Sequence, residues 1–585
     1  MSAQQSNLSG SQWMYDMVVG VTQNSVNQTL FKFLKKFAGA NIEYYEVINP
    51  EYSKRNPTVP RTLVSDAEAI RKIVGKDIFS VEVDSEVGDA IAEGKQFSLA
   101  IRGKLGVPDY ADKILDIVQF DQGHGTKVSF RMCYKELEIV YVEYDQDGAS
   151  LRKFVQNKDN FFTFTFVVDL NLKEENEGFN TLTPEQQALI KNLNPDTMFS
   201  VNQLYLDLTA PKLQSSPDIK GIDKDSYEGQ VIITKLQERY WNTVHNSSAK
   251  GVILGTTVLP KKYNPKLQNP SLIPTNLNFM VMPYMNADGK SVKENQGYAT
   301  LNYLIASENR KLNPPSQFGW NWVQPGHQAH GVMAIRKENI LSFLKAAFEK
   351  STQPLLYEPT AEIKSGGLFD LKDYIHVTYT NVNYTPQFQT TTDGLEFSFY
   401  REAQAKSSTR QIDPHSQFNV KISISGNKIK MDLTMRYYID YFALGLASMN
   451  TRFFPISEKS TVYTFEMTVN AAGKLNVTLK DIENKPIFVV KPAEVPDPQK
   501  TFYEAAFETT WGIDLVPYFF ALMEKFKGLG AHLEYEYSQI AQNLENLLNN
   551  SNAWVFPGGN TFAFKEVGFS DNLDLVSHIT YVNPS

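Results

Sequence analysis

A single cysteine, Cys133, in 585 residues excludes an intrachain disulfide framework and any cysteine-built metal cluster. Histidine is also sparse. Of eight in the chain, only His327 and His330 lie close together, in the segment Trp322-Val-Gln-Pro-Gly-His-Gln-Ala-His330, which carries no acidic residue. Closed zinc sites want four ligands at regular spacing, so this pair reads as structural, and neither a metal nor another cofactor is expected. Charge of one sign is missing too. The 57 Lys and Arg against 65 Asp and Glu give a formal charge of -8, with the signs interspersed, so nucleic acid is not an expected partner. No run of 18 apolar residues occurs; the nearest, residues 513–523, is short and interrupted by Asp514 and Pro517, which leaves peripheral contact as the only expected mode of membrane association.

Catalytic motifs are lacking as well. The chain has no His-Glu-x-x-His helix, no Gly-x-Ser-x-Gly elbow and no Gly-x-Gly-x-x-Gly or Gly-x-x-x-x-Gly-Lys phosphate loop. Asp145-Gln-Asp147-Gly148 begins like a calcium loop, but no glutamate closes it, so it reads as a hairpin turn. The loop Gly123-His-Gly125-Thr126-Lys127 reads as a turn rather than an anion cradle. Nothing singles out a pair of carboxylates, and the chain is not expected to be an enzyme. The polar, uncharged amino terminus resembles no secretory leader. The expectation is a soluble protein, cytoplasmic as synthesised, with any release by an unclassical route.

What the chain does have is apolar mass and alternation. Apolar residues make up 42% and aromatics 12%, ample for a packed interior. Period-two segments dominate: 162–172, 418–424, 432–442 and 463–469 alternate inward apolar with outward polar residues, the mark of antiparallel strands with one wet face. Asn286-Ala-Asp-Gly289, Ser425-Gly-Asn427 and Ala471-Ala-Gly-Lys474 supply hairpin turns. Helical spacing appears at 183–190, behind a Thr-Pro start, and at 533–548. The predicted fold class is α+β, mostly β, with long curved sheets wrapped around long helices.

One strand-turn-helix unit recurs. Met17-Val-Val-Gly-Val21 leads into Val26, Leu30 and Leu34, and Gly331-Val-Met-Ala-Ile335 leads into Ile340, Leu344 and Phe348. With Val21 laid on Ile335, the pairs Val26/Ile340, Leu30/Leu344 and Leu34/Phe348 fall in register without a gap, as duplication of one unit would require. Chance recurrence of a common amphipathic pattern is the competing explanation. Proline-bearing connectors lie at 50–60, 214–221, 313–316 and 490–499. The third precedes the second unit and favours division into an N-terminal half, 1–325, and a C-terminal half, 326–585, with strands allowed to cross between them.

Trp13-Met-Tyr-Asp-Met-Val-Val-Gly-Val-Thr-Gln-Asn-Ser-Val-Asn-Gln28, Phe199-Ser-Val-Asn-Gln-Leu-Tyr-Leu-Asp-Leu208 and the closing segment 561–578 resemble the accessory proteins encoded beside clostridial neurotoxins. These are the forty-seven-kilodalton protein and its OrfX relatives, of the tubular lipid-binding (TULIP) superfamily. The resemblance implies a curved antiparallel sheet around a long helix with an apolar groove, binding of a lipid, phosphoinositide or other apolar molecule, partners among toxin-cluster proteins, and no catalytic residues. At 66.3 kDa the chain exceeds the short member, so extra strands or a second module are expected.

These readings converge on candidate residues. Val26, Leu30, Leu34, Ile340, Leu344 and Phe348 are the expected groove-facing positions, with ordinary core as the alternative. Lys32, Lys35 and Lys36, beside Phe31, Phe33 and Phe37, are the candidate contact for an anionic headgroup, with a solvated helix face as the alternative. Tyr437-Tyr-Ile-Asp-Tyr-Phe442 and residues 511–520 could line an apolar channel. Two rival functions stay open: a protein-binding scaffold without lipid, and a glycan-binding β protein presenting Trp320 and Trp322 as exposed platforms.

Overall fold

The computed structural model describes residues 2–36, 41–52, 58–94, 96–111, 116–121, 125–144, 146, 148–159, 162–175, 199–213, 225–246, 253–260, 272–365, 373–408, 410–444, 449–485, 526, 529–550, 554–555 and 561–582. Every strand pair among them is antiparallel. The molecule is α+β and mostly β. Among the described residues a six-stranded central sheet stands with a ten-stranded sheet, a seven-stranded sheet and a two-stranded ribbon. The described helices are α1 (Gln23–Lys36), α2 (Ala67–Val74), α3 (Glu86–Glu93), α4 (Tyr227–Asn246), α5 (Lys337–Thr352) and α6 (Leu529–Asn550). The predicted helix at 183–190 and the channel segment 511–520 lie outside the described residues.

The alternating segments form strands of unusual length. Lys127–Tyr144 has 18 residues, Arg410–Ser425 has 16, Lys428–Leu444 has 17 and Met449–Val469 has 21, against a usual five or six. Turn chemistry holds where it was expected. Gly426, Gly289 and Gly473 all take positive φ, and Gly426 lies in the two-residue turn between Ser425 and Lys428, which pair. The strands on either side of 145–148 also pair, with Tyr144 opposite Ala149.

The central sheet runs Pro274–Met282, Thr300–Ser307, Met17–Thr22, Gly331–Ile335, Leu575–Val582, Thr561–Phe569, so it draws strands from both sides of residue 325. Its order is palindromic about the pair Met17–Thr22 and Gly331–Ile335. In that pair Met17 faces Ile335, Val21 faces Gly331, and Val19 faces Met333. At the offset that lays Val21 on Ile335, Val19 therefore pairs with its own counterpart, and the two flanking pairs exchange. The same exchange continues outward: Arg336 donates to the Asp16 carbonyl and Thr22 donates to the His330 carbonyl, each at 2.9 Å. A two-fold pseudo-axis thus passes between the strands of the recurring unit, as a duplicated unit pairing with itself would produce.

The two central strands of the recurring unit run into α1 and α5; the ten-stranded sheet forms an N-terminal lobe and the seven-stranded sheet a C-terminal lobe. In the N-terminal lobe, α4 lies over the ten-stranded sheet, where Tyr134 Oη donates to the Leu236 carbonyl at 3.4 Å and the Arg239 guanidinium sits 5.1 Å above the Tyr44 ring. In the C-terminal lobe, α6 covers the edge strand Leu475–Lys485. Asn549 Oδ1 accepts from Leu475 N at 2.9 Å, Asn549 Nδ2 donates to Leu475 O at 2.8 Å, and Glu545 accepts from Val477 N at 2.9 Å. These bonds occupy backbone groups that an edge would otherwise offer to another chain.

Candidate functional site

The six apolar helix positions come together in one continuous core. Val26, Leu30, Ile340, Leu344 and Phe348 are buried members of it, and half-buried Leu34 packs against it. The core joins both helices of the recurring unit to the inward faces of the large sheets. The lysines separate. Lys32 is exposed, Lys35 turns back to the Ala111 carbonyl at 3.4 Å and lies 5.5 Å from the Phe31 ring, and the Lys36 side chain, like Phe37, lies outside the described residues.

The interior of the C-terminal lobe has a direction that sequence reading missed. Along Met449–Val469 the inward face runs Lys459, Thr461, Tyr463, Phe465, Met467, all buried. Their cross-strand partners are Met435, Leu433, Met431 and Ile429 opposite Lys459, Thr461, Tyr463 and Phe465. The surroundings therefore stay apolar while this strand turns from apolar to cationic. Across from it, Tyr537 of α6 packs edge-on to Tyr463 at 4.9 Å and to Phe348 of α5 at 5.8 Å. The Thr461, Tyr463 and Tyr537 hydroxyls have no hydrogen-bond partner among the described residues. A buried hydroxyl left this way costs free energy on the order of 1–3 kcal/mol.

Lys459 sharpens the polarity. Its side chain is 3% exposed, and its nearest carboxylate is Glu534 at 3.9 Å. Burial pushes its ammonium below the usual lysine range, with Glu534 pulling partly back. Burial likewise raises the Tyr463 and Tyr537 phenols, so both stay protonated donors at neutral pH. Period-two reading of 463–469 caught the apolar end of this face. Extending the same alternation back to Thr461 and Lys459 was the available signal.

Beside this gradient stands an aromatic cluster. Tyr437 stacks on Phe526 at 4.4 Å, and Tyr379 and Tyr357 meet Phe526 edge-on at 5.7 and 5.0 Å. Tyr437 is thus a wall of the lobe interior, while Tyr438 faces the other way and stacks on His415 at 4.5 Å. The Tyr441 and Phe442 side chains lie outside the described residues.

The tryptophan platforms are not platforms. Trp320 and Trp322 are buried with Trp13 and Phe318 in a second core on the other face of the central sheet, at centroid separations of 4.8 to 6.1 Å. Indole rings this deep cannot stack on a sugar, and the exposed-platform expectation is corrected. The connector 313–316 is fastened there as well, since Tyr15 Oη donates to Pro314 O at 2.9 Å and accepts from Ser316 N at 3.2 Å.

The histidine pair also divides. His330 Nδ1 accepts from Tyr581 N at 2.8 Å, whereas His327 turns toward His578, with ring centroids 5.1 Å apart. Cys133 is buried and its thiol is pushed up to about 12, so it stays protonated at neutral pH.

No family model matches the chain, and no curated protein matches it. Among solved structures, the chain is similar to a lipopolysaccharide binding protein at TM-score 0.26 and 9% identity, over 97% of this chain and 99% of that one. It is also similar to P47 of Clostridium botulinum E1 at TM-score 0.38 and 11% identity, over 96% of this chain and 98% of that one.

Proposed function

We propose that this chain binds an amphiphile, a lipid or other apolar molecule with an anionic head, inside its C-terminal lobe and performs no chemistry on it. The observation that carries this reading is the graded inner face from Met467 and Phe465 through Tyr463 and Thr461 to Lys459. An apolar tail belongs at one end of that face. A group able to accept from an ammonium and three hydroxyls belongs at the other. Each methylene removed from water contributes about 0.8 kcal/mol, and an acceptor offered to Lys459 would relieve the cost of a desolvated cation. Leu344 and Phe348 of α5 border the tail region, and Leu30 holds the corresponding place in the N-terminal lobe, which we propose as a second apolar compartment. A role as an accessory component of a toxin system is a further proposal, supported by the segment resemblance alone.

Native mass spectrometry of the purified chain, followed by solvent extraction, tests the reading. A stoichiometric acyl-bearing molecule, lost in a folded Leu344→Trp variant, is the expected result. Uptake from liposomes that is unchanged in both Leu344→Trp and Lys459→Met would sink it. A chain that carries nothing and ignores liposomes would instead favour the protein-binding scaffold.

A further inference from the structure

We infer that His327, Glu566 and His578 form a binding site for one zinc ion, separate from the lobe interior. Their ligand atoms all lie within 4.8 Å of one another. Glu566 and His578 are directly opposed on the last hairpin, with His578 Nδ1 3.4 Å from Glu566 Oε2. A tetrahedral zinc ion with bonds of about 2.0–2.2 Å wants ligand atoms roughly 3.3–3.5 Å apart, which this pair already satisfies. His327 is exposed, and a rotation of its side chain brings the third donor in.

Three features of the chain build this geometry. A β-bulge between Phe564 and Glu566 inserts Lys565, and a bulge of this kind re-aims the side chain beside it. Here it sets Glu566 opposite His578. The Lys565 ammonium is directed away, onto the Gln328 carbonyl at 2.7 Å, where it ties the His327 loop to the hairpin. His330 ties the same loop again through its N–H to Ile579 O at 2.8 Å and its Nδ1 to Tyr581 N. The third feature is the contact of the two imidazoles, whose ring centroids lie 5.1 Å apart.

Two imidazoles and one carboxylate suit zinc rather than calcium or magnesium, which prefer all-oxygen shells. With Glu566 61% exposed and His578 15% exposed, the fourth position faces solvent, so the site is open and takes water or an external ligand. Bound zinc would clamp the 324–330 loop onto the central sheet. This site does not depend on the amphiphile reading.

The test uses the full, untagged chain, stripped with a chelator and titrated with zinc chloride by isothermal calorimetry and equilibrium dialysis. One zinc per chain is expected, weakened on the order of tenfold or more in His327→Ala and in His578→Ala, less so in Glu566→Gln, and unchanged in His376→Ala on a distant strand. Because His327 is exposed, His327→Ala keeps the test valid even if His578→Ala misfolds. Cobalt(II) substitution should give the intense visible bands of a four-coordinate site, absent in His327→Ala. No stoichiometric zinc uptake, or uptake of equal affinity in the wild type and His327→Ala, would overturn the assignment.

Discussion

Asp16 shows how much one buried charge organises. Its carboxylate meets Arg310 at 2.6 Å and Arg336 at 3.3 Å and accepts from Ser307 N at 2.8 Å, joining three strands of the central sheet at one end. Removing one partner of such a network strands the others, a cost of about 3–5 kcal/mol. Asp16→Ala should therefore lose stability of that order in urea denaturation, and Asp16→Asn, which keeps an acceptor for Ser307, should lose less. Lys459 behaves in the opposite sense, because burial disfavours its cation and Glu534 at 3.9 Å compensates only in part. Lys459→Met should stabilise the ligand-free chain by about 1–3 kcal/mol. With its folded pKa lowered, the unfolded chain holds this proton more tightly than the folded one. The contribution of Lys459 to stability therefore rises with pH above the lowered value and is lost as pH falls through it. As pH rises toward the usual lysine value of about 10.4, the stability gap between Lys459→Met and the wild type should narrow; a gap that stays constant up to that pH would show that Lys459 does not titrate differently on folding.

At the scale of elements, the recurring strand depends on closeness. A Cβ at Gly331 would fall well inside contact with the Gly20 carbonyl across the central pair, and one at Gly20 would meet Asn302 Oδ1 at 2.9 Å. Gly331→Ala should thus cost about 1–3 kcal/mol or more through overpacking, visible as a lowered midpoint with an unchanged denaturant slope. Helix α1 is pinned by a side chain acting as a strand: Asn27 Oδ1 accepts from Val118 N at 2.8 Å and Asn27 Nδ2 donates to Val118 O at 2.9 Å, both buried. Asn27→Ala leaves two buried backbone groups unpaired and should cost about 2–4 kcal/mol. Helix α5 borrows its start from the far end of the chain, where Asp574 accepts from Lys337 N at 3.1 Å.

For the whole molecule, the palindromic sheet makes the lobes interdependent. The final hairpin, Thr561–Phe569 and Leu575–Val582, lies over 220 residues in sequence from Gly331–Ile335, its partner in the sheet. Loss of residues 561–585 should therefore expose the edge of Gly331–Ile335 and its apolar face. The expected outcome is aggregation or collapse of the cooperative transition in calorimetry, and a truncated chain that unfolds at the wild-type temperature would refute this dependence. None of the described helices is long and apolar enough to cross a membrane.

Local chemistry determined much of this protein in advance. Period-two alternation marked the long strands at 418–424, 432–442 and 463–469, glycine with its tolerance of positive φ marked their turns, and helical spacing marked α1, α5 and α6, because each signal depends on neighbours a few residues away. The register of the recurring unit was legible for the same reason, since Val21 and Ile335 are followed by equal spacings. Tertiary structure alone decided where side chains meet across hundreds of residues. It buried Trp320 and Trp322 beneath Trp13, turned Lys35 back toward the Ala111 carbonyl, aimed Lys459 inward on a strand whose outer face is wet, and brought His327 to Glu566 and His578 across a bulged hairpin. Those encounters depend on sheet order and on which face of a strand turns inward, and no short window of sequence carries either.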